Sequence, residues 1–143
     1  MKAMILAAGV GSRLSPLTLF MPKPMAPIAN KPVMEHIIDL LASHGVKEIA
    51  ANLYYLPDQI EKHFGSGERW GVHLTYSLER TLLGTAGAVR RMSGETAGSP
   101  FFDGPFWVLM GDSLTDLDLG AMLAFHRSKG AMATIALHEV DDP

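Results

Sequence analysis

The sequence predicts an α/β fold in which a mostly parallel sheet lies between layers of helices. Short apolar runs that are typical of strands alternate with longer segments whose apolar residues repeat at helical spacing. Strands separated by helices favour a parallel sheet, because parallel neighbours need a crossover connection. The chain has 143 residues, 48% of them hydrophobic and 19% charged. This size and composition predict one globular domain with its own core.

The first half of the chain carries two strand–helix pairs. Residues 2–7 form an apolar run that predicts a strand, and a long loop containing several prolines follows it. A loop of that length in a compact domain is usually functional. Pro32 suits the first turn of a helix, and Gly45 would end that helix. Residues 46–52 then predict a second strand, and residues 56–64 predict a second helix.

The second half continues this alternation. It predicts strands at residues 72–78, 106–110 and 132–140, and helices at residues 84–92 and 119–129. Residues 93–105 are rich in turn-forming residues and predict a connection. The whole pattern predicts a three-layer α/β/α, Rossmann-like domain over residues 1–143, with a mixed but mostly parallel sheet.

Composition excludes several classes of protein. The net charge of −3 gives no basis for general binding to nucleic acid or to an anionic membrane. The absence of cysteine excludes disulfides and cysteine-ligated zinc, and it fits a reducing compartment. No apolar stretch approaches the roughly 20 residues of a membrane span. We therefore expect a soluble, cytoplasmic protein with neither nucleic acid nor membrane as a partner.

A glycine-rich turn directly after the first strand is the most informative motif. Gly9 and Gly11 allow backbone N–H groups to approach a ligand closely. Arg13 and Lys23 add positive charge, and a proline on each side of Lys23 stiffens the backbone that carries it. Amides and cations together are suited to a polyphosphate. The alternative is that Arg13 pairs locally and Lys23 is a solvated charge.

Asp112 follows the strand predicted at residues 106–110, as the glycine turn follows the first strand. Because the carboxyl ends of parallel strands share one edge, we expect the two motifs to meet there. A carboxylate at that edge could hold Mg²⁺, which takes one or two carboxylates and keeps several waters. The alternative for Asp112 is a turn or helix cap. Asp118 is predicted to cap the following helix.

Glu79 and the segment Leu83-Gly-Thr-Ala-Gly predict a base-binding surface. Gly84 and Gly87 would let the backbone approach a flat base, and Thr85 could cap a helix. A carboxylate only accepts hydrogen bonds, so Glu79 suits a base edge that presents N–H donors. Guanine offers two adjacent donors, whereas uracil and thymine offer one. The alternative for Glu79 is an exposed carboxylate at a strand end.

Five motifs carry the chemistry of the chain: Leu6-Ala-Ala-Gly-Val-Gly-Ser-Arg-Leu-Ser-Pro-Leu-Thr, Pro22-Lys-Pro-Met, Asn30-Lys-Pro, Leu83-Gly-Thr-Ala-Gly and Gly111-Asp-Ser-Leu. Together they resemble the sugar-1-phosphate nucleotidyltransferase family over essentially the whole chain, and most closely its mannose-1-phosphate guanylyltransferase and glucose-1-phosphate nucleotidyltransferase branches. The resemblance implies the nucleotide-diphospho-sugar transferase fold. It also implies a reaction in which an NTP and a sugar 1-phosphate give an NDP-sugar and pyrophosphate, with Mg²⁺ as cofactor.

The resemblance also implies roles for individual residues. The base and ribose would be bound by Leu6, Ala7, Ala8 and Gly9, together with Gly84 and Thr85. The β- and γ-phosphates would be surrounded by Gly11, Ser12 and Arg13. Lys23 would hold the α-phosphate and the sugar phosphate, so that Arg13 and Lys23 are the catalytic residues. Asp112 would be one of two metal-binding aspartates.

Glu79 falls where the family places its base-reading residue, which is commonly glutamine in thymidylyl and uridylyl enzymes. Glutamate at this position favours guanine, and thus GTP as the nucleotide, although some uridylyl members also have an acidic residue there. Catalytic domains of the family are usually much longer than this chain. We therefore expect the chain to be the N-terminal nucleotide-binding part, incomplete at the C-terminus. Because such a part exposes a sheet edge, a homo-oligomer is among the expected partners, beside NTP and sugar 1-phosphate.

Three other functions remain as alternatives. A non-catalytic fragment or regulatory subunit that binds a nucleotide or NDP-sugar would carry the same motifs. A dinucleotide-binding oxidoreductase is disfavoured, because its fingerprint needs a third glycine where Leu14 stands. A cytidylyl enzyme acting on a choline-type or glycerol-type phosphate is compatible with the motifs present.

Overall fold

The computed structural model describes residues 1–95 and 100–140. Its strands and helices are, in chain order, β1 (Lys2–Leu6), β2 (Pro27–Ile28), β3 (Lys31–Pro32), α1 (Val33–Ser43), β4 (Glu48–Leu53), α2 (Pro57–Phe64), β5 (His73–Leu78), α3 (Gly84–Arg90), β6 (Phe106–Met110) and α4 (Leu119–Lys129). The four longer strands form a parallel sheet in the order β5-β4-β1-β6, and β2 and β3 form a small antiparallel ribbon. Within these residues no helix is both long and apolar enough to cross a membrane.

Two clusters of buried side chains lie on opposite faces of the sheet. On one face, Ala3 and Ile5 of β1 belong to a cluster that includes α1, α2 and the first residue of α4. On the other face, Met4 and Leu6 pack with Ala88 of α3. A parallel strand covered on both faces is an uninterrupted apolar run, which is the pattern seen in β1. The predicted three-layer α/β/α fold is therefore confirmed.

Glycine and aspartate end and begin the helices as predicted, whereas Pro32 lies at the N-cap, one residue before the first helical turn in which it was expected. Pro32 directly precedes α1, and Gly45 follows that helix with a φ of 77°. The Asp118 carboxylate accepts a hydrogen bond of 2.9 Å from the Ala121 N–H at the start of α4. That bond lowers the pKa of Asp118, because it stabilises the charged form. Gly130 ends α4 with a φ of 56°.

The register of β1 with its two neighbours places the predicted motifs on one edge. Leu6 at the end of β1 lies opposite Asn52 of β4 on one side and Met110 of β6 on the other. The ladder continues one residue further, where the Gly111 N–H donates to the Leu6 carbonyl at 2.8 Å. The residues that follow β1 and β6 therefore emerge side by side, as expected for parallel strands.

The prediction of a strand at residues 132–140 is wrong. This segment has no regular secondary structure, and no strand in the described part of the chain pairs with it. Its apolar side chains are exposed, among them Met132, Ile135 and Leu137. An apolar, β-branched sequence favours a strand only where a neighbouring strand can pair with its backbone. Without such a neighbour, the local preference does not produce a strand.

The region between α3 and β6 differs in part from the prediction. Regular helix ends at Arg90, and a wider π-type turn, Arg91–Glu95, follows where the prediction extended the helix to residue 92. Gly94 has a φ of 101°, which interrupts helical geometry. The predicted connection over residues 93–105 includes residues 96–99, which lie outside the described residues.

We expect Gly111→Ala to destabilise the fold, because an added Cβ would lie 2.9 Å from the Leu6 carbonyl oxygen and 3.2 Å from the Ala7 Cβ. The strain should lower the free energy of unfolding by about 1 to 3 kcal/mol, as overpacking typically does. Gly104→Ala is the matched control, since no atom lies within 4 Å of its added Cβ. Urea denaturation of both variants tests this, and equal midpoints would contradict the close packing of β6 against β1.

Candidate functional site

A pocket of about 210 Å³ lies at the carboxyl edge of the sheet. It is lined by Leu6, Ala7, Ala8, Gly9, Lys23, Pro24, Asn52, Glu79, Leu82, Gly84, Thr85, Met110 and Asp112. The structure thus brings together the predicted site residues except Gly11, Ser12, Arg13 and Gly87, which do not line the pocket. The lining residues lie at the ends of the four parallel strands or closely follow them, or they lie in the loop after β1 and in the segment from Leu82 to Thr85 that leads into α3.

Lys23 and Asp112 form an ion pair at one side of this pocket. The Lys23 Nζ donates to the Asp112 Oδ2 at 2.6 Å, and their side chains are 27% and 22% exposed. Lys23 lies in a short 3₁₀ turn, Lys23–Met25, and the flanking Pro22 and Pro24 are fully buried. The buried prolines anchor the backbone of the loop, so the lysine is held against the sheet edge and is not a freely solvated charge.

Gly11 supports the position of Lys23. Its φ of 71° is left-handed, and an added Cβ would lie 2.8 Å from the Lys23 Cγ and 2.9 Å from the Thr18 Cγ2. The Thr18 hydroxyl also donates to the Gly11 carbonyl at 2.9 Å. A side chain at position 11 would collide with the aliphatic part of Lys23, so glycine is required there. Gly11 itself does not line the pocket.

Ser12 and Arg13 lie outside the pocket. Both are exposed, and both belong to the 3₁₀ turn Ser12–Leu14 that begins directly after Gly11. The Leu14 N–H donates to the Gly11 carbonyl at 3.0 Å, which closes that turn. The left-handed residue and the tight turn together direct the chain away from the sheet edge.

Glu79 is buried, so the alternative of an exposed strand-end carboxylate is wrong. It is 4% exposed and lies one residue after β5, where its own N–H donates to the Leu53 carbonyl at 2.8 Å. Its Oε1 accepts from the Asn52 Nδ2 at 2.9 Å, and its Oε2 accepts from the Leu83 N–H at 3.0 Å. These two donors compensate the burial of a carboxylate.

Asn52 was missed by sequence reasoning. It is the penultimate residue of β4, it is 4% exposed, and its Oδ1 accepts from the Ala7 N–H at 3.0 Å. A polar residue at the end of an otherwise apolar strand is the signal that could have found it. Such a residue lies at the carboxyl edge of the sheet, where ligands of α/β proteins bind.

The predicted helix cap at Thr85 is wrong. Thr85 is the second residue of α3, Leu83 occupies the N-cap position, and no side chain of the helix start makes a capping hydrogen bond. Glu79 instead accepts the Leu83 N–H from outside the helix. Gly84 has a φ of 71°, and no atom lies within 4 Å of the position its Cβ would take. The backbone therefore stays open towards the pocket at this point.

The donor set around Asp112 suits magnesium better than a metal that needs a full protein cage. No group of three or more metal-ligating side chains occurs among residues 1–95 and 100–140. Asp112 Oδ2 is paired with Lys23, and the Ser113 hydroxyl approaches Oδ1 at 3.5 Å. Mg²⁺ takes one or two carboxylates and completes its shell with water and phosphate oxygens. The residues present fit that mode of binding.

The sheet order and the edge pocket define an α/β protein of the class that binds ligands at the carboxyl ends of parallel strands. A sequence profile described as "Nucleotidyl transferase" matches residues 2–143. The chain therefore belongs to the nucleotidyl transferase family.

Similar proteins include two sugar-1-phosphate nucleotidyltransferases. A UTP–glucose-1-phosphate uridylyltransferase of Synechocystis is 46% identical over 94% of this chain and 36% of its own length. A mannose-1-phosphate guanyltransferase of Gibberella zeae is 38% identical over 100% of this chain and 39% of its own length. The chain thus spans less than two fifths of these relatives.

The fold has a close match among solved structures. The crystal structure of HddC from Yersinia pseudotuberculosis, complexed with GMP-PN, superposes with a TM-score of 0.74 at 27% identity. The match covers 87% of this chain and 53% of that protein. The predicted nucleotidyltransferase fold is therefore confirmed.

We expect Gly11→Ala to lower the free energy of unfolding by about 1 to 2 kcal/mol, because a residue with a Cβ is strained in the left-handed region. The close approach to Lys23 and Thr18 adds to that cost. Gly9→Ala is the control, since its added Cβ would have no neighbour within 4 Å. Chemical denaturation of both variants measures the difference. A Gly11→Ala variant as stable as Gly9→Ala would show that the loop does not need glycine there.

Proposed function

We propose that this chain binds the nucleoside triphosphate of a sugar-1-phosphate nucleotidyltransferase, with GTP favoured. In this function the nucleoside monophosphate passes to mannose 1-phosphate or glucose 1-phosphate, and an NDP-sugar and pyrophosphate form. The single observation that carries the proposal is the juxtaposition in one pocket of the Lys23–Asp112 pair and the buried Glu79 carboxylate. The first provides charge for phosphates and metal, and the second provides acceptors for a base.

The preference for GTP follows from the unused acceptor capacity of Glu79. A carboxylate has about four lone-pair sites, and each Glu79 oxygen already accepts one protein hydrogen bond. One acceptor site is therefore left on each oxygen. Guanine presents two adjacent N–H donors that can use both sites, whereas uracil and thymine present one. The named guanyltransferase among the relatives is consistent with this proposal.

The chemistry needs charge placement and little covalent participation by the protein. An oxygen of the sugar phosphate attacks the α-phosphorus in line, the bond from the α-phosphorus to the bridging oxygen breaks, and pyrophosphate leaves with that oxygen. Lys23 would neutralise the two phosphates that must approach each other. Asp112 would hold Mg²⁺, which supplies Lewis-acid stabilisation of phosphate charge when bound. The family resemblance assigns the leaving pyrophosphate to Arg13, which in this structure is exposed and lies outside the pocket.

Residues 1–143 correspond to less than two fifths of the relatives, so nucleotide binding and turnover are separate questions for this chain. GTP and UTP binding should be measured first by isothermal titration calorimetry. Pyrophosphate release with mannose 1-phosphate and glucose 1-phosphate should be assayed next. Binding without release would favour the alternative of a non-catalytic nucleotide-binding unit, and the absence of binding would refute both.

Lys23→Ala should weaken GTP binding about 10- to 100-fold, because one charge-assisted hydrogen bond contributes roughly 1.5 to 3 kcal/mol. It also leaves the Asp112 carboxylate unpaired beside the incoming phosphates. Where pyrophosphate release is measurable, kcat should fall at least about a hundredfold. Calorimetric titration of the variant with GTP, with and without Mg²⁺, measures the first effect.

Lys31→Ala is the matched control, because Lys31 also pairs with an aspartate, Asp39, but does not line the pocket. It should bind GTP as the unaltered chain does. Equal affinities of the Lys23 and Lys31 variants would refute the placement of the triphosphate beside Lys23.

A further inference from the structure

Asn52 lines the pocket and connects the ends of three parallel strands. Its Oδ1 accepts the Ala7 N–H at 3.0 Å, directly after β1, and its Nδ2 donates to the Glu79 Oε1 at 2.9 Å, directly after β5. The Glu79 Oε2 then accepts the Leu83 N–H at 3.0 Å. A continuous line of hydrogen bonds therefore runs from β1 through β4 and β5 to the start of α3.

The chemistry of its two partners determines how the Asn52 amide is oriented. The Ala7 N–H can only donate, so it must face the amide oxygen. An ionised Glu79 can only accept, so it must face the amide nitrogen. Neither an aspartate nor an apolar side chain at position 52 could satisfy both partners while Glu79 remains charged.

The same contacts restrain the Glu79 carboxylate. Asn52 and the Leu83 N–H each bind one of its oxygens, so rotation of the carboxylate would break one of the two bonds. Without the Asn52 donor, the Glu79 carboxylate, which is only 4% exposed, would keep one of the two hydrogen bonds that compensate its burial. Such a group rotates towards water or another donor. That rotation alters the direction of the acceptor sites that the pocket offers to a base.

We propose that Asn52 is a positioning residue that determines base selectivity by holding the Glu79 carboxylate in one orientation, with one acceptor site per oxygen left for the ligand. This inference rests on the proposed function, because it presupposes a nucleotide base in the pocket. It differs from a purely structural role in one measurable respect. If Asn52 only linked the strands, its loss would weaken the binding of all nucleotides equally. If it positions Glu79, its loss weakens the binding of a base with two N–H donors more than that of a base with one.

The test compares the Kd values of GTP and UTP, measured by isothermal titration calorimetry on the full chain. Asn52→Ala should lower the ratio of the UTP Kd to the GTP Kd about tenfold, as expected for the loss of one hydrogen bond to a charged group. Ser77→Ala is the matched control, because Ser77 is also buried and lies opposite Asn52 in the sheet but does not line the pocket. It should leave the ratio unchanged.

A double variant, Asn52→Asp with Glu79→Gln (the exchange variant), distinguishes an effect on folding stability from an effect on base selectivity. The new carboxylate at position 52 would accept both the Ala7 N–H and the new amide at position 79, whose oxygen would accept the Leu83 N–H. Every hydrogen bond is kept, while the negative charge moves from position 79 to position 52. The urea midpoint should match that of the unaltered chain, and the Kd ratio should still fall about tenfold.

Three outcomes overturn the inference. An unchanged ratio in Asn52→Ala, or an equal loss for GTP and UTP, refutes the positioning role and leaves the proposed function intact. If Asn52→Ala does not fold, the exchange variant decides, and an unchanged ratio or failure to fold in that variant refutes it. If the unaltered chain binds neither GTP nor UTP, the proposed function fails and this inference fails with it.

Discussion

The central position of β1 is the constraint on which the rest of the structure depends. β1 pairs in parallel with β4 on one side and β6 on the other, so Leu6 lies opposite both Asn52 and Met110. A slip of one residue on either side would turn buried side chains to the opposite face of the sheet. It would also separate the Ala7 N–H from the Asn52 amide. The two-sided apolar core therefore determines the register, and the register determines which side chains meet at the pocket.

The pocket is electrostatically organised before any ligand is considered. Lys23 is paired with Asp112, and the buried Glu79 has a donor at each oxygen. Groups that already hold their positions need little reorganisation when charge arrives. In the proposed function, a metal at Asp112 and a phosphate at Lys23 would each replace the Lys23–Asp112 ion pair and so free the other residue for its own ligand. Binding of the metal and binding of the triphosphate would therefore favour one another.

Most of the fold could be predicted because local signals and tertiary packing agree. Apolar runs became the parallel strands, and Gly45, Asp118 and Gly130 mark helix boundaries as their chemistry suggests. The meeting of the glycine loop and Asp112 followed from topology alone. Residues 132–140 could not be predicted from local sequence, because a strand needs a partner that strand propensity does not supply. Asn52 was missed because its role comes from contacts with residues 45 positions before it and 27 after it.

The proposed preference for GTP rests on the pocket, although the uridylyltransferase among the relatives described above has the higher identity to this chain. Identity to the uridylyltransferase of Synechocystis is 46%, against 38% to the guanyltransferase of Gibberella zeae. Identity over a whole chain mainly reports the core, the loops and the phosphate chemistry that both activities share. Discrimination between bases depends on the few groups that face the base edge, and each hydrogen bond left unpaired there costs roughly 1 to 3 kcal/mol. Under the proposed function, two unused acceptor sites on Glu79 would leave one unpaired with uracil and none with guanine, so the proposal gives the groups at the base edge more weight than the difference in identity.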